Sequence, residues 1–141
     1  SENDRLATIE AVRDGTIDIV SSMHTPQDEE SKRLPFEDAA SGAIGLETIL
    51  PAMLRLYHSS HLKMEQIFNA ISLKPAKRLG LACGSLKHKQ IADLIVFDAD
   101  KPFILNRELL HSKVKNTPFD GHKLQGQVLR TFVKGKEVFS L

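Results

Sequence analysis

The sequence predicts an α/β fold that gives way to a small β-rich unit. Three observations carry that expectation. A helical stretch over residues 1–14 passes through Asp14-Gly15 into the β-branched run Thr16–Ser22, the order of an αβ step. Helical periodicity then dominates from Leu46 to Gly80. After Gly84 the chain turns to short apolar runs separated by turn residues. The expected division is a helical α/β part over 1–82 and a β-rich part over 83–141.

Each element has its own signal. In residues 1–14, Ser1 suits a cap with Asp4 three residues on, and Leu6, Ile9 and Val12 share a face. Gly15 suits the helix exit. Residues 16–22 read as a strand. Residues 23–45 form a long irregular stretch, which in a compact domain is usually functional. It follows the C-terminal end of that strand, where α/β barrels place their chemistry. Leu46, Ile49, Leu50, Met53, Leu54 and Tyr57 predict an amphipathic helix over 46–58. Pro51 belongs in its first turn, which makes Thr48 the natural cap. Met64, Ile67, Phe68 and Ile71 predict a second helix over 63–72, and Pro75 opens a third that stops at Gly80. Strands are expected at 91–98, 103–105 and 127–133, and Lys134-Gly135 turns the chain into a last one at 136–139.

Composition narrows the function. The 141 residues carry 19 Lys and Arg against 18 Asp and Glu, a formal charge of +1, with 41% hydrophobic residues. Balanced charge gives no support to a nucleic-acid partner. No apolar run is long enough for a transmembrane helix, so no membrane role is expected. The single cysteine, Cys83, excludes an internal disulfide and makes a cytoplasmic setting the natural expectation. Cys83 reads as a structural thiol. The polar start without methionine, already in a helical pattern, suggests a truncated or processed polypeptide.

The six histidines form no metal motif. His58 and His61 read as surface caps between helices, and His88, His111 and His122 as solvated. His24 differs because it opens the long loop two residues after the strand. There it could hold a substrate anion or serve acid/base chemistry, or it could bond nearby main chain. The run Asp28, Glu29, Glu30, Lys32, Arg33 reads as a solvated loop, from which Arg33 could reach a carboxylate. Gly42 and Gly45 either let backbone N–H groups approach a ligand or allow the turn into the next helix. The residues alone supply no complete catalytic set and no set of metal ligands.

Several segments together resemble dihydroorotase, a member of the amidohydrolase superfamily. They are Asp14-Gly15-Thr16-Ile17-Asp18, the His24-Thr25-Pro26 loop, Pro35-Phe36-Glu37, Gly42-Ala43-Ile44-Gly45-Leu46-Glu47-Thr48, Ala92-Asp93-Leu94-Ile95-Val96-Phe97-Asp98 and Lys115-Asn116-Thr117-Pro118-Phe119. Hydantoinases and allantoinases share the 92–98 strand and are the nearest alternatives. The resemblance implies the last strand and helices of a TIM-type (β/α)8 barrel followed by a C-terminal β unit. It also implies a zinc-dependent cyclic amide hydrolase of pyrimidine biosynthesis that interconverts N-carbamoyl-aspartate and dihydroorotate. A full barrel needs about 250 residues, so the chain reads as a C-terminal fragment, inactive alone and holding no zinc of its own.

Carried over by position, the resemblance gives His24 the substrate carboxylate and Gly42 a loop amide for the same anion. Ala40 takes a place in that loop where proline is common. Met23 stands where the family has its metal-binding, proton-shuttling aspartate, which leaves no catalytic residue. Asp28 is the one nearby acid that could replace it after a loop shift. Lys89 occupies a position where a turn glycine is usual. A non-catalytic scaffold for aspartate transcarbamoylase is the alternative that Met23 suggests. A second copy of the chain, forming a homodimer, is one way to cover the exposed barrel surface.

Overall fold

The computed structural model describes all residues, 1–141. Helix α1 spans Glu2–Asp14 and begins with the expected box: the Asp4 N–H donates to Ser1 Oγ at 3.3 Å, and the Ser1 hydroxyl donates back to the Asp4 carboxylate at 2.8 Å. Gly15, at φ 88°, ends it. Asp14 then accepts from the Thr16 N–H at 2.8 Å, and this bond holds its carboxyl below the usual value of 3.8.

The run 16–22 does not form the expected strand. β-branched residues favour extended backbone, but a strand also needs a neighbour to exchange hydrogen bonds with. None of the chain's three strands lies beside this run, since all three belong to one separate sheet. The segment is held piecemeal instead. The Ile17 N–H donates to Ala11 O at 2.8 Å, and the Val20 N–H to Ala70 O at 3.1 Å. Just beyond it, His24 makes an isolated parallel bridge with Ala43.

The stretch 23–45 is not wholly irregular, because Glu29–Lys32 form a short helix α2. Helix α3, Ile49–His58, has Pro51 in its first turn as expected; Thr48 holds the cap position, but its buried hydroxyl donates to Ile44 O and Gly45 O rather than capping the helix amides. The two expected helices at 63–72 and 75–80 are one continuous helical run: α4 (Met64–Phe68), a π-helical turn (Asn69–Leu73) and α5 (Lys74–Arg78). Pro75 has no N–H to donate to the carbonyl of Ile71, and its ring would crowd that carbonyl. The wider π turn relieves both problems without breaking the run. Gly80, at φ 68°, closes it.

The β unit is a three-stranded antiparallel sheet in the order β1 (Leu94–Ile104), β2 (Lys123–Val133), β3 (Lys136–Ser140). The expected strands at 91–98 and 103–105 are thus a single strand. Its register shifts between Asp98 and Pro102, where Asp98 Oδ1 accepts from the N–H groups of Asp100 and Lys101 at 3.0 and 3.1 Å. Strand β2 starts four residues earlier than the apolar run suggested. Lys134 (φ 50°) and Gly135 (φ 76°) make the expected two-residue turn, both in the left-handed conformation that such hairpins require.

Helices and sheet pack together. Leu54 on α3 is fully buried against β2, where Gly126 (φ 102°) gives it room. Phe68 and Phe97 meet with ring centroids 5.4 Å apart. The expectation that His58 is a surface cap is corrected: its Nε2 lies 3.0 Å from Ala99 O in the β1 irregularity, and it is half-buried. A second cluster joins Ile9, Met53, Leu62 and Ile67. Only 15 of the 141 residues are buried, while Phe36 and Leu86 are 97% and 88% exposed. The core is therefore small, and broad apolar surface faces outward.

The close contact at Gly126 gives a test. A Cβ there would run into Leu54 Cδ1, and the φ angle disfavours any side chain. Gly126→Ala is expected to lower stability by about 2–3 kcal/mol in urea unfolding. A loss under about 0.5 kcal/mol, the range of ordinary surface changes, would show that the helix–sheet contact is not tight.

Candidate functional site

The loop after residue 22 and the loop before α3 come together main chain to main chain. The Thr25 N–H donates to Ala43 O at 3.1 Å. A Cβ on Gly42 would strike Thr25 O, and one on Gly45 would strike Ser22 O. Gly42 also sits at φ 120°, where side chains are disfavoured. Both glycines therefore serve close approach of two chain segments.

His24 sits at this junction. Its Nδ1 accepts from the N–H groups of Gly45 at 3.1 Å and Leu46 at 3.3 Å. These amides lie just ahead of α3, so the ring occupies donors at the helix entry. With Nδ1 an acceptor, the proton of the neutral ring is on Nε2, which is the nitrogen left to donate. The main-chain alternative raised by the sequence is thus real for Nδ1 and leaves Nε2 for a ligand. Gly42 contributes a second donor, since its N–H has no hydrogen-bond partner within the chain. Ala40 lies in the same loop, with its N–H donated to Ser31 O at 3.0 Å and its carbonyl taken by Lys32 Nζ at 2.7 Å.

Two further residues hold this loop. Lys32 Nζ also reaches Gly42 O at 3.3 Å. Asn116, in the connection between β1 and β2, donates from Nδ2 to Gly42 O at 3.0 Å and accepts the Gln27 N–H on Oδ1 at 2.9 Å. Its own carbonyl accepts the Ile44 N–H at 2.9 Å. Lys32 had read as part of a solvated charge run, and Asn116 only as one letter of a motif. No periodicity marks either one, because Lys32 acts from the single-turn helix α2 and Asn116 from a loop.

Met23 stands on the rim of a cavity of about 520 Å³ lined by segments 20–23, 42–45 and the start of α3, with Pro118 and Phe119. It is 75% exposed and has φ 44°. Asp28 does not replace an acid there. Its carboxylate caps α2, accepting the Ser31 N–H at 2.9 Å and the Ser31 hydroxyl at 2.6 Å, and these bonds hold its carboxyl below the usual 3.8. An acid held ionised and turned into a cap is poorly suited to carry a proton. Arg33 pairs with Glu29 at 2.6 Å rather than facing the loop. His111, 82% exposed, is less free than expected: its N–H and Nδ1 both lie 2.9 Å from Glu47 carboxylate oxygens.

The zinc that the resemblance implies finds no fit in these residues. No three His, Cys, Asp or Glu side chains gather closely enough to hold a metal ion. His24 Nδ1 is occupied by main-chain donors, and Met23 offers a neutral thioether where an anion would be wanted. What this junction leaves open is two N–H donors, His24 Nε2 and the Gly42 main chain.

The model of the amidohydrolase family matches residues 1–138. The chain belongs to this family. Among curated relatives, it is 41% identical over 140 residues to a dihydroorotase of Wolbachia sp. subsp. Drosophila simulans, covering 99% of this chain and 32% of that protein. It is likewise 41% identical over 140 residues to a dihydroorotase of Trichlorobacter lovleyi, covering 33% of that protein. Among solved structures, the L-hydantoinase (dihydropyrimidinase) from Arthrobacter aurescens superposes with TM-score 0.88 at 32% identity, over 94% of this chain and 31% of that one. The D-hydantoinase (dihydropyrimidinase) from Thermus sp. does so with TM-score 0.84 at 27% identity, over 95% and 31%. The chain thus spans about a third of the length of the curated relatives it matches. The amidohydrolase resemblance seen in the residues stands, and the architecture is an α/β piece of the kind these neighbours contain.

Two tests follow from the rim. Asn adopts the left-handed conformation more readily than Met. Met23→Asn is therefore expected to raise the unfolding free energy by up to about 1 kcal/mol, measured in urea; an unchanged or lower value would show that position 23 is not strained. For Asp28, the folded-state value lies below the unfolded one, so its contribution is present above the ordinary carboxylate value and is lost as pH falls through the folded value. The Ser31 amide protection factor should drop below about pH 4, and Asp28→Asn should abolish that dependence.

Proposed function

We propose that this chain is the C-terminal portion of a dihydroorotase and contributes the carboxylate side of its substrate site. The reading places residues 1–82 at the end of a (β/α)8 barrel and 83–141 as the appended β unit. The observation that carries it is the tie between His24 and the loop of Gly42 and Gly45: the ring accepts the Gly45 and Leu46 amides on Nδ1, which leaves Nε2–H to donate, and Gly42, with its N–H free, lines the neighbouring cavity. Dihydroorotate and N-carbamoyl-aspartate each bear a carboxylate that such donors can hold. Any zinc would be bound by barrel residues outside this chain, so water activation is not assigned to these residues. Alone, the chain binds and does not turn over. Being a component of a soluble pyrimidine-biosynthesis enzyme would place it in the cytoplasm.

One observation favours a second reading. Met23 has no negative charge, and Asp28 is committed to capping α2. A parent protein with this pair would lack the proton-carrying acid and would serve as a dihydroorotase-like scaffold, with aspartate transcarbamoylase as the partner to test.

The parent polypeptide decides between them. Dihydroorotate hydrolysis is measured for wild type, Met23→Asp and His24→Ala. The enzyme reading expects turnover in wild type, with KM rising about 10-fold or more in His24→Ala, as suits one hydrogen bond to a charged group. The scaffold reading expects no wild-type turnover and a gain only in Met23→Asp. Turnover in the 141-residue chain by itself would refute the division of labour proposed here.

A further inference from the structure

We propose that Asn116 is a positioning residue that aims the Gly42 loop at the substrate carboxylate, so that the β unit sets the geometry of a site built in the helical part. The proposal rests on the carboxylate reading above. Asn116 lies 89 residues from Gln27 and 74 from Gly42 in sequence, yet one side chain bonds to both. It uses its whole amide: Oδ1 accepts from the loop that carries His24, and Nδ2 donates to the loop that carries Gly42. Its main-chain carbonyl adds a third tie, to the Ile44 N–H. The Thr25 N–H to Ala43 O bond and the His24–Ala43 bridge join the two loops through main chain beside it.

The geometry shows what the clamp controls. Gly42 O accepts from both Asn116 Nδ2 and Lys32 Nζ, which accounts for both of its lone pairs. That fixes the plane of the peptide leaving Gly42. Glycine is otherwise the residue freest to rotate there. Without the Asn116 donor, the loop keeps one bond from a flexible, exposed lysine. The Gly42 N–H lies in the preceding peptide and is joined to that carbonyl through Cα, so a looser hold on the carbonyl lets the residue, N–H included, shift relative to His24. Loss of preorganisation of this kind weakens binding without removing any group that touches the ligand.

Amide exchange and ligand titration on the full 141-residue chain test this together. The probe is L-dihydroorotate, followed by the amide shifts of Gly42 and Leu46, with dihydrouracil as the same ring lacking the carboxylate. In Asn116→Ala, the Gln27 amide should exchange at least about 10-fold faster and the Ile44 amide, bonded to main chain, should not change. Dihydroorotate affinity should fall about 10-fold or more. Asn116→Asp guards against a folding artefact: it keeps the acceptor for Gln27, so that amide should stay protected, while the lost donor to Gly42 still weakens dihydroorotate. Wild-type binding that survives in both variants would overturn the positioning role. Absence of dihydroorotate shifts in wild type, or equal shifts from dihydrouracil, would instead overturn the carboxylate reading on which it rests.

Discussion

The close passage of two main-chain segments, 22–25 and 42–45, is the constraint on which the rest depends. Gly42 and Gly45 permit it, since a Cβ at either would meet a carbonyl oxygen of the facing segment. Once the segments touch, Thr25 bonds to Ala43 and the His24 ring reaches the amides ahead of α3. Helix α3 is thereby held at its start, and Leu54 is placed against Gly126 in the sheet. A third glycine thus completes at the helix–sheet contact what the first two begin at the loop. The sequence permits contact at these points by omitting side chains, not by adding attractive ones.

How much of this was legible depends on the range of the interaction. The Ser1–Asp4 box, Pro51 in the first turn of α3, and the Lys134-Gly135 turn are decided within a few residues, and each forms as expected. The strand at 16–22 failed because pairing needs a neighbour, and local propensity cannot say whether one is present. The break expected at Pro75 failed for a subtler reason. A π turn lets a helix pass a proline, and nothing in the local pattern distinguishes passing from stopping. Lys89 was noted as an odd replacement for glycine, and its φ of 67° shows why glycine suits that position. At the loop junction, the resemblance singled out His24 and Gly42, whereas Lys32 and Asn116, which bond to the Gly42 carbonyl, act across the fold and carry no local signature.

The electrostatics separate two jobs that one carboxylate often combines. Asp28 is ionised and structural, bound to Ser31 as a cap on α2. The rim position that faces the cavity carries Met23 and no charge. His24 Nε2 and the Gly42 N–H are the donors this junction leaves open, and no carboxylate of the chain bonds to either. Lys32 bonds to two carbonyls and makes no ion pair with any carboxylate, so its charge remains available to the loop.

The distribution of apolar surface bears on what the chain can be by itself. An apolar groove of about 1030 Å³ runs between the α3–α5 helices and the sheet, lined by Leu50, Phe68, Ile71, Phe97 and Phe132 among others. Phe68 and Phe97 touch across it at one point, and the rest of its walls face each other without closing. Open apolar walls are unfavourable in water at roughly 25 cal/mol per Å², and a self-sufficient domain would be expected to close them. The polar clamp behaves differently: Asn116, Lys32 and His24 tie the loops together with groups from this chain, and the Gly42 N–H is left open. The loop junction is thus held by polar groups of this chain while the apolar groove stays open. A piece of a longer fold would show this imbalance, with its polar junction tied and its apolar groove open, and an independently evolved small domain would not.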